Sequence, residues 1–164
     1  MRLTRIDSDY LRSVIFGVED GLVSSTGAVI GIAAGSNQSK IVILAGLVIV
    51  VVEAISMAAG QFITEEAVHD LEAGRHHDSL IGGAVLMFFS YLLAGLIPIL
   101  PFFFLDLGPA MLTAGVLALS SLFGFGYLKG KVTKVSKLRS AFKNFVIGGI
   151  ATSIGLIVGL VFKV

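Results

Sequence analysis

The chain has 164 residues, 55% of them hydrophobic and 14% charged, with a mean hydropathy of +0.96. Soluble domains carry about 25% charged residues, so too little polar surface exists here for a soluble enzyme, and a net charge of +1 supplies no basic field for nucleic acid. The absence of Cys removes disulfide frameworks and thiolate metal sites. What remains is a single all-α integral membrane domain over residues 1–164.

Leu3, Ile6, Tyr10 and Val14 recur at helical spacing among Arg2, Arg5, Asp7, Asp9 and Arg12. This predicts a short interfacial helix over about 1–13 that feeds the first span. No cleavable signal peptide is expected, because the first apolar run soon meets Glu19 and Asp20. Five stretches then have the ~20 apolar residues a bilayer requires: Val14–Ala34, Ile41–Ile63, Leu80–Leu105, Pro109–Leu128 and Asn144–Phe162. Pro98 and Pro101 predict a kink or an early loosening of the third. With five spans the termini lie on opposite sides. Ten Lys and Arg fall on the N-terminal side and two, Lys40 and Lys163, on the other. The positive-inside rule therefore places the N terminus in the cytosol and the C terminus outside or in a lumen. The loop KGKVTKVSKLR is expected to fix this topology against anionic headgroups.

Only Glu19, Asp20 and Glu53 fall inside the spans, each at a cost of about 2.5–3.5 kcal/mol near the bilayer centre. No Lys or Arg lies within a span to pair with them, so a bound cation or a proton is the expected neutraliser. Counting 1.5 Å per residue from the cytosolic edge puts Asp20 and Met57 both about 9 Å deep and Glu53 about 15 Å deep, level with Ser24. Glu53, Met57, Gly60, Gln61 and Thr64 share one face of the second helix; Gly17, Asp20, Ser24, Gly27, Gly31 and Gly35 share one face of the first. If these faces meet, carboxylate, thioether, hydroxyl and amide groups line a path to midplane. Carboxylates suit Mg, Ca and Mn, whereas an added thioether favours Fe(II), Mn(II) or Co(II). Each residue also has a plainer reading. Met57 could be packing, Asp20 and Glu53 could be structural carboxylates, and Glu19 could snorkel to the interface. Gly27, Gly31 and Gly35, like Gly148, Thr152, Gly155 and Gly159, form small-residue ridges for close helix packing or for a dimer interface.

The loop over about 64–79 reads TEEAVHDLEAGRHHDS. Glu65, His69, Glu72 and His76 fit one helical face, and Glu66-x-x-His69 has the spacing of a metal-binding pair. The loop is either a cytosolic entry funnel for Zn, Fe or Mn or a solvated helical cap. No enzyme is expected: the spans hold one Asp, no H-E-x-x-H motif and no Ser/His pair. Only Glu66-x-x-His69 leaves room for ferroxidase-like chemistry.

DGLVSSTGAVIG in the first span and EAISMAAGQF in the second resemble the vacuolar iron transporter family, including its nodulin-like branch. GLIPILPFF in the third span is similar to the family's G-x-x-P-x-x-P element, and SSLFGFGYLKGK to its small-residue segment. The resemblance covers nearly the whole chain. It implies export of Fe(II), and often Mn(II), from the cytosol in exchange for protons, by a homodimer, with Asp20 and Met57 on the translocation path and no cofactor beyond the transported ions. Two departures stand out. The large cytosolic metal-binding domain of some members is replaced by the short Glu/His loop, as in the nodulin-like members. Ile49 and Gln61 stand where the family often has Glu, while Glu53 occupies a usually small position and is expected to replace the missing carboxylate. The competing expectation is a non-transporting scaffold or metal-sensing protein that dimerises through its glycine-rich faces. Plasma and organellar membranes are both open.

Overall fold

The computed structural model describes residues 5–71 and 80–163, and among these every regular element is helical. The helices are α1 (Arg5–Ser36), α2 (Ser39–Leu71), α3 (Leu80–Leu96), α4 (Leu107–Val132) and α5 (Lys137–Val161), with a 3-10 turn at Leu100–Phe103. Four of them, α1, α2, α4 and α5, are long and apolar enough to cross a membrane, and α3 is a shorter apolar helix of 17 residues. The polar N-terminal segment does not form a separate helix, since α1 runs unbroken from Arg5 into the first apolar run. Likewise α2 carries its helix past the apolar stretch to Leu71, so that Gln61, Glu65 and His69 extend its inner face.

The third apolar stretch extends to Leu105, but its helix stops at Leu96. Pro98 has no N–H to give to the Ala94 carbonyl and disfavours helical geometry at Ile97. The chain turns instead through Ile97 N–H to Ala94 O (3.2 Å) and Ile99 N–H to Leu96 O (3.0 Å). Pro98, Ile99, Pro101 and Phe102 are buried in that turn. Ile99 and Phe102 join Val29, Ile30, Ala33, Val42, Val50, Ala110 and Ala114 in the main apolar core. The outer surface is apolar as well: Leu44, Ile81, Leu93 and Leu112 are 65–72% exposed, as side chains facing acyl chains rather than water must be.

α1 is the central helix, packed on α3 along one side and α5 along another. Its glycines explain how. Gly17 and Gly21 lie against the backbone of Met87 and Tyr91 in α3, whereas Gly27, Gly31 and Gly35 meet Ala151, Gly155 and Gly159 of α5. The predicted single face of α1 is therefore divided between two neighbours. Rows of residues three and four apart drift around a helix of 3.6 residues per turn, and each end of the row reaches a different partner. Of that row, Ser24 is the residue that bonds to α2. The two small-residue ridges expected from sequence pack against each other within one chain, while Gly31 and Gly155 stay half-buried and line an open apolar groove of about 750 Å³. A methyl group at Gly155 would stand 2.0 Å from the Gly27 carbonyl oxygen, and one at Gly159 2.0 Å from that of Gly31. We expect Gly155→Ala to lower stability by about 3 kcal/mol, the upper range for overpacking. Gly124→Ala, where nothing lies within 4 Å, should gain about 1 kcal/mol from helix propensity. Thermal unfolding of the two variants in detergent should move in opposite directions.

Candidate functional site

The antiparallel pair α2 and α3 sets the site in register. The Tyr91 hydroxyl donates to Glu53 Oε2. The Ser24 hydroxyl of α1 lies 3.2 Å from the same carboxylate oxygen and 2.5 Å from the Tyr91 oxygen. Three helices thus converge on one carboxylate, and the depth count that placed Glu53 level with Ser24 agrees with their hydrogen bond. Tyr91 is completely buried. It escapes a search for charges, yet the same count places it eleven residues past Leu80, about 16 Å deep, opposite Glu53.

On the side of Glu53 that leads to the α1 N terminus, a cavity of about 580 Å³ opens between α1, α2 and α3. Met57, Gln61, Glu65 and His69, spaced four residues apart on α2, line it. Across from them stand Asp9 and Arg12 of α1 and Met87 of α3. Arg12 is ion-paired with Glu65, and the Gln61 amide donates to Glu65 Oε1 at 3.1 Å. The His69 ring nitrogen Nδ1 lies 3.7 Å from Asp70. Glu66 is exposed and does not line the cavity, because it sits one residue around the helix from Glu65. Glu72 and His76 lie outside the described residues.

Asp20 is placed differently from the sequence expectation. It lines a separate pocket of about 150 Å³ with Glu19, Phe16, Val23, Leu122, Asn144 and Ile147, so it does not share a cavity with Met57. It remains near enough to Glu53 for their charges to interact. Phe16 lines both cavities. Glu19 does have a basic partner, contrary to the expectation that no Lys or Arg could reach the carboxylates. Lys129, at the end of α4, reaches back to pair with it, and Asn144 of α5 donates to the same oxygen at 2.7 Å. Lys129 also donates to Asn144 Oδ1 at 3.3 Å, closing a triad across α1, α4 and α5. Lys129 counts as a loop charge only until its helix is seen to run to Val132. Among the described residues, no three His, Asp or Glu side chains are gathered closely enough to hold a metal ion by themselves. The groups that face inward form a line along α2.

The profile of the VIT family matches residues 11–80 and 68–160, nearly the whole chain. The chain belongs to the VIT family. Among its relatives, vacuolar iron transporter 1 of Oryza sativa subsp. japonica is 27% identical, covering 88% of this chain and 82% of its own length. Vacuolar iron transporter homolog 3 of Arabidopsis thaliana is also 27% identical, over 90% of this chain and 80% of its own. Vacuolar iron transporter homolog 2 of rice reaches 37% identity over 78 residues, 47% of this chain and 41% of its own. The first alignment runs over 207 positions and the second over 160 for nearly the same share of this chain, so the additional positions of the first face gaps here. The VIT match itself comes in two pieces that overlap at 68–80, from the last turn of α2 to the first residue of α3. Membership and the apolar helices together make this VIT chain a multi-pass integral membrane protein.

Proposed function

We propose that this VIT protein exports Fe(II), Mn(II) or both from the cytosol and returns protons in exchange. The observation that carries the reading is Glu53. It is a carboxylate within an apolar span, held by Tyr91 and Ser24 one turn beyond a cavity lined by Met57, Gln61 and Glu65. An ion entering that cavity meets Glu65 at the mouth, passes the thioether of Met57, and reaches Glu53. Asp20 adds a second carboxylate from the adjoining pocket. Protonation of a carboxylate removes the charge that holds a cation, so one group can bind metal and proton alternately. This is the property antiport requires. Relatives named as iron transporters support the substrate class, and the loop charges support five spans with the N terminus in the cytosol. A homodimer would bring two such carboxylate sets together and supply the donors that one chain lacks.

Reconstituted in proteoliposomes with an imposed pH gradient, the protein should take up Fe(II) or Mn(II) in competition with Zn(II) and Co(II). Asp20→Asn and Met57→Ala should each abolish that uptake, and unchanged uptake in both would refute the assignment. Collapse of the gradient should slow the wild-type protein; insensitivity to pH would leave a uniporter in its place.

A further inference from the structure

Met87 is the feature of the cavity that sequence gives no reason to notice. The α2–α3 register brings it into view. Glu53 bonds to Tyr91. Two turns towards the cavity mouth, a Cβ at Gly83 would lie 3.7 Å from the Gln61 amide nitrogen. Met57 and Met87 are the residues halfway between these two contacts, four from each on both helices. They therefore stand opposite one another, and both line the cavity. The chain holds only four methionines, and one of them is Met1. Two of the other three are on this one cavity, in helices where Leu, Ile and Val otherwise supply the bulk. Met87 is 1% exposed, so water does not compete for its sulfur.

We infer that Met57 and Met87 form a two-thioether subsite for a borderline or soft divalent cation, through which the ion passes on its way to Glu53. The inference rests on the transport reading above for its place in a path, although metal binding can be tested apart from it. Its chemistry is division of labour. Glu53 on one side, and on the other Glu65, which an entering ion must share with Arg12, supply the charge that offsets dehydration, and carboxylates discriminate little between hard divalent ions. Two neutral thioethers add little affinity for Mg(II) or Ca(II), and they favour Fe(II), Co(II) and softer ions over Mn(II). The pair would thus be the element that selects the ion, and Met87 a specificity-determining residue equal to Met57.

Because the chain contains no Cys, any sulfur bound to a metal must come from methionine. The full chain in detergent, loaded with Cd(II) alone, should show two sulfur neighbours by X-ray absorption at the cadmium edge. Met57→Leu and Met87→Leu should each leave one, the double variant none, and Met111→Leu on α4 the full pair. Met-to-Leu exchanges conserve volume, so the fold is retained. In proteoliposomes Met87→Leu should lower the Fe(II)-to-Mn(II) flux ratio on the order of tenfold, the lower end of the loss seen when even a group that supports a metal site's ligands is removed. A sulfur shell absent from the wild type, or unchanged in Met87→Leu, overturns the subsite even if the protein moves metal. A two-sulfur shell on a protein that moves no metal supports the subsite and overturns the transport reading instead.

Discussion

Glu53→Gln is expected to cut metal flux by about 10- to 100-fold, the scale of one lost charge-assisted contact, while leaving the fold intact. The side-chain carbonyl of Gln still accepts from Tyr91 and Ser24, which now hold Glu53, so the three-helix junction survives the substitution. What disappears is the charge, and with it both the attraction for a cation and the exchangeable proton. Flux should consequently lose its dependence on an imposed pH gradient. Tyr91→Phe isolates the other half of the contact. It keeps the ring that fills the fully buried position and removes the hydroxyl, leaving Glu53 with Ser24 as its remaining donor at this junction. The expected loss is smaller, about tenfold, with the pH dependence retained. If Glu53→Gln transports metal with the wild-type rate and pH response, Glu53 is a structural carboxylate and the path lies elsewhere.

The second large effect concerns stability. Lys129→Met leaves Glu19 without its cation and Asn144 without one of its partners. Removing one member of a fully buried ion pair costs about 3–5 kcal/mol. Here both side chains keep about a quarter of their exposure, 22% and 26%, so a loss of about 2–3 kcal/mol is expected. Adding Glu19→Gln to Lys129→Met should recover most of it, because Gln keeps the bond from Asn144 without an uncompensated charge. Thermal unfolding of the four proteins closes a double-mutant cycle. Coupling near zero would show that the triad contributes nothing to holding α4 and α5 against α1.

Much of this structure was legible before any coordinates. α1, α2, α4 and α5 each contain one long apolar run, and nothing in a bilayer but a helix accommodates such a run as an isolated segment. Pro98 announced a break, although not that the helix would end at Leu96, since an apolar run says nothing about where the backbone leaves helical geometry. Glu53 and Ser24 were paired by a depth count alone. The residues that were missed share a physical cause. Tyr91 and Met87 sit in apolar runs where neither carries a charge to betray it, and their meaning comes from the register between two helices. Lys129 was assigned to a loop because the span was drawn by apolarity and ended at Leu128. The expected meeting of Asp20 with Met57 failed for a related reason. Equal depth fixes height along the membrane normal but not azimuth, and the two residues line different cavities.

The joint between α1 and α5 has one further consequence. Gly27 and Gly31 meet Gly155 and Gly159 backbone to backbone, with no rotamers in the contact to relax or repack. Such a seam has no room for even one added methyl group. Gly17 and Gly21 seat α1 on the backbone of α3 in the same manner. α2 is held differently, touching its neighbours through the side chains of Val50, Gln61 and Glu53. Side-chain contacts permit the small shear displacements that packed helices make. The helix bearing Glu53, Met57, Gln61 and Glu65 is therefore the one joined to its neighbours by side chains, against a frame of α1, α3, α4 and α5 that meet at glycines, Gly126 and Gly130 seating α4 on the α5 backbone.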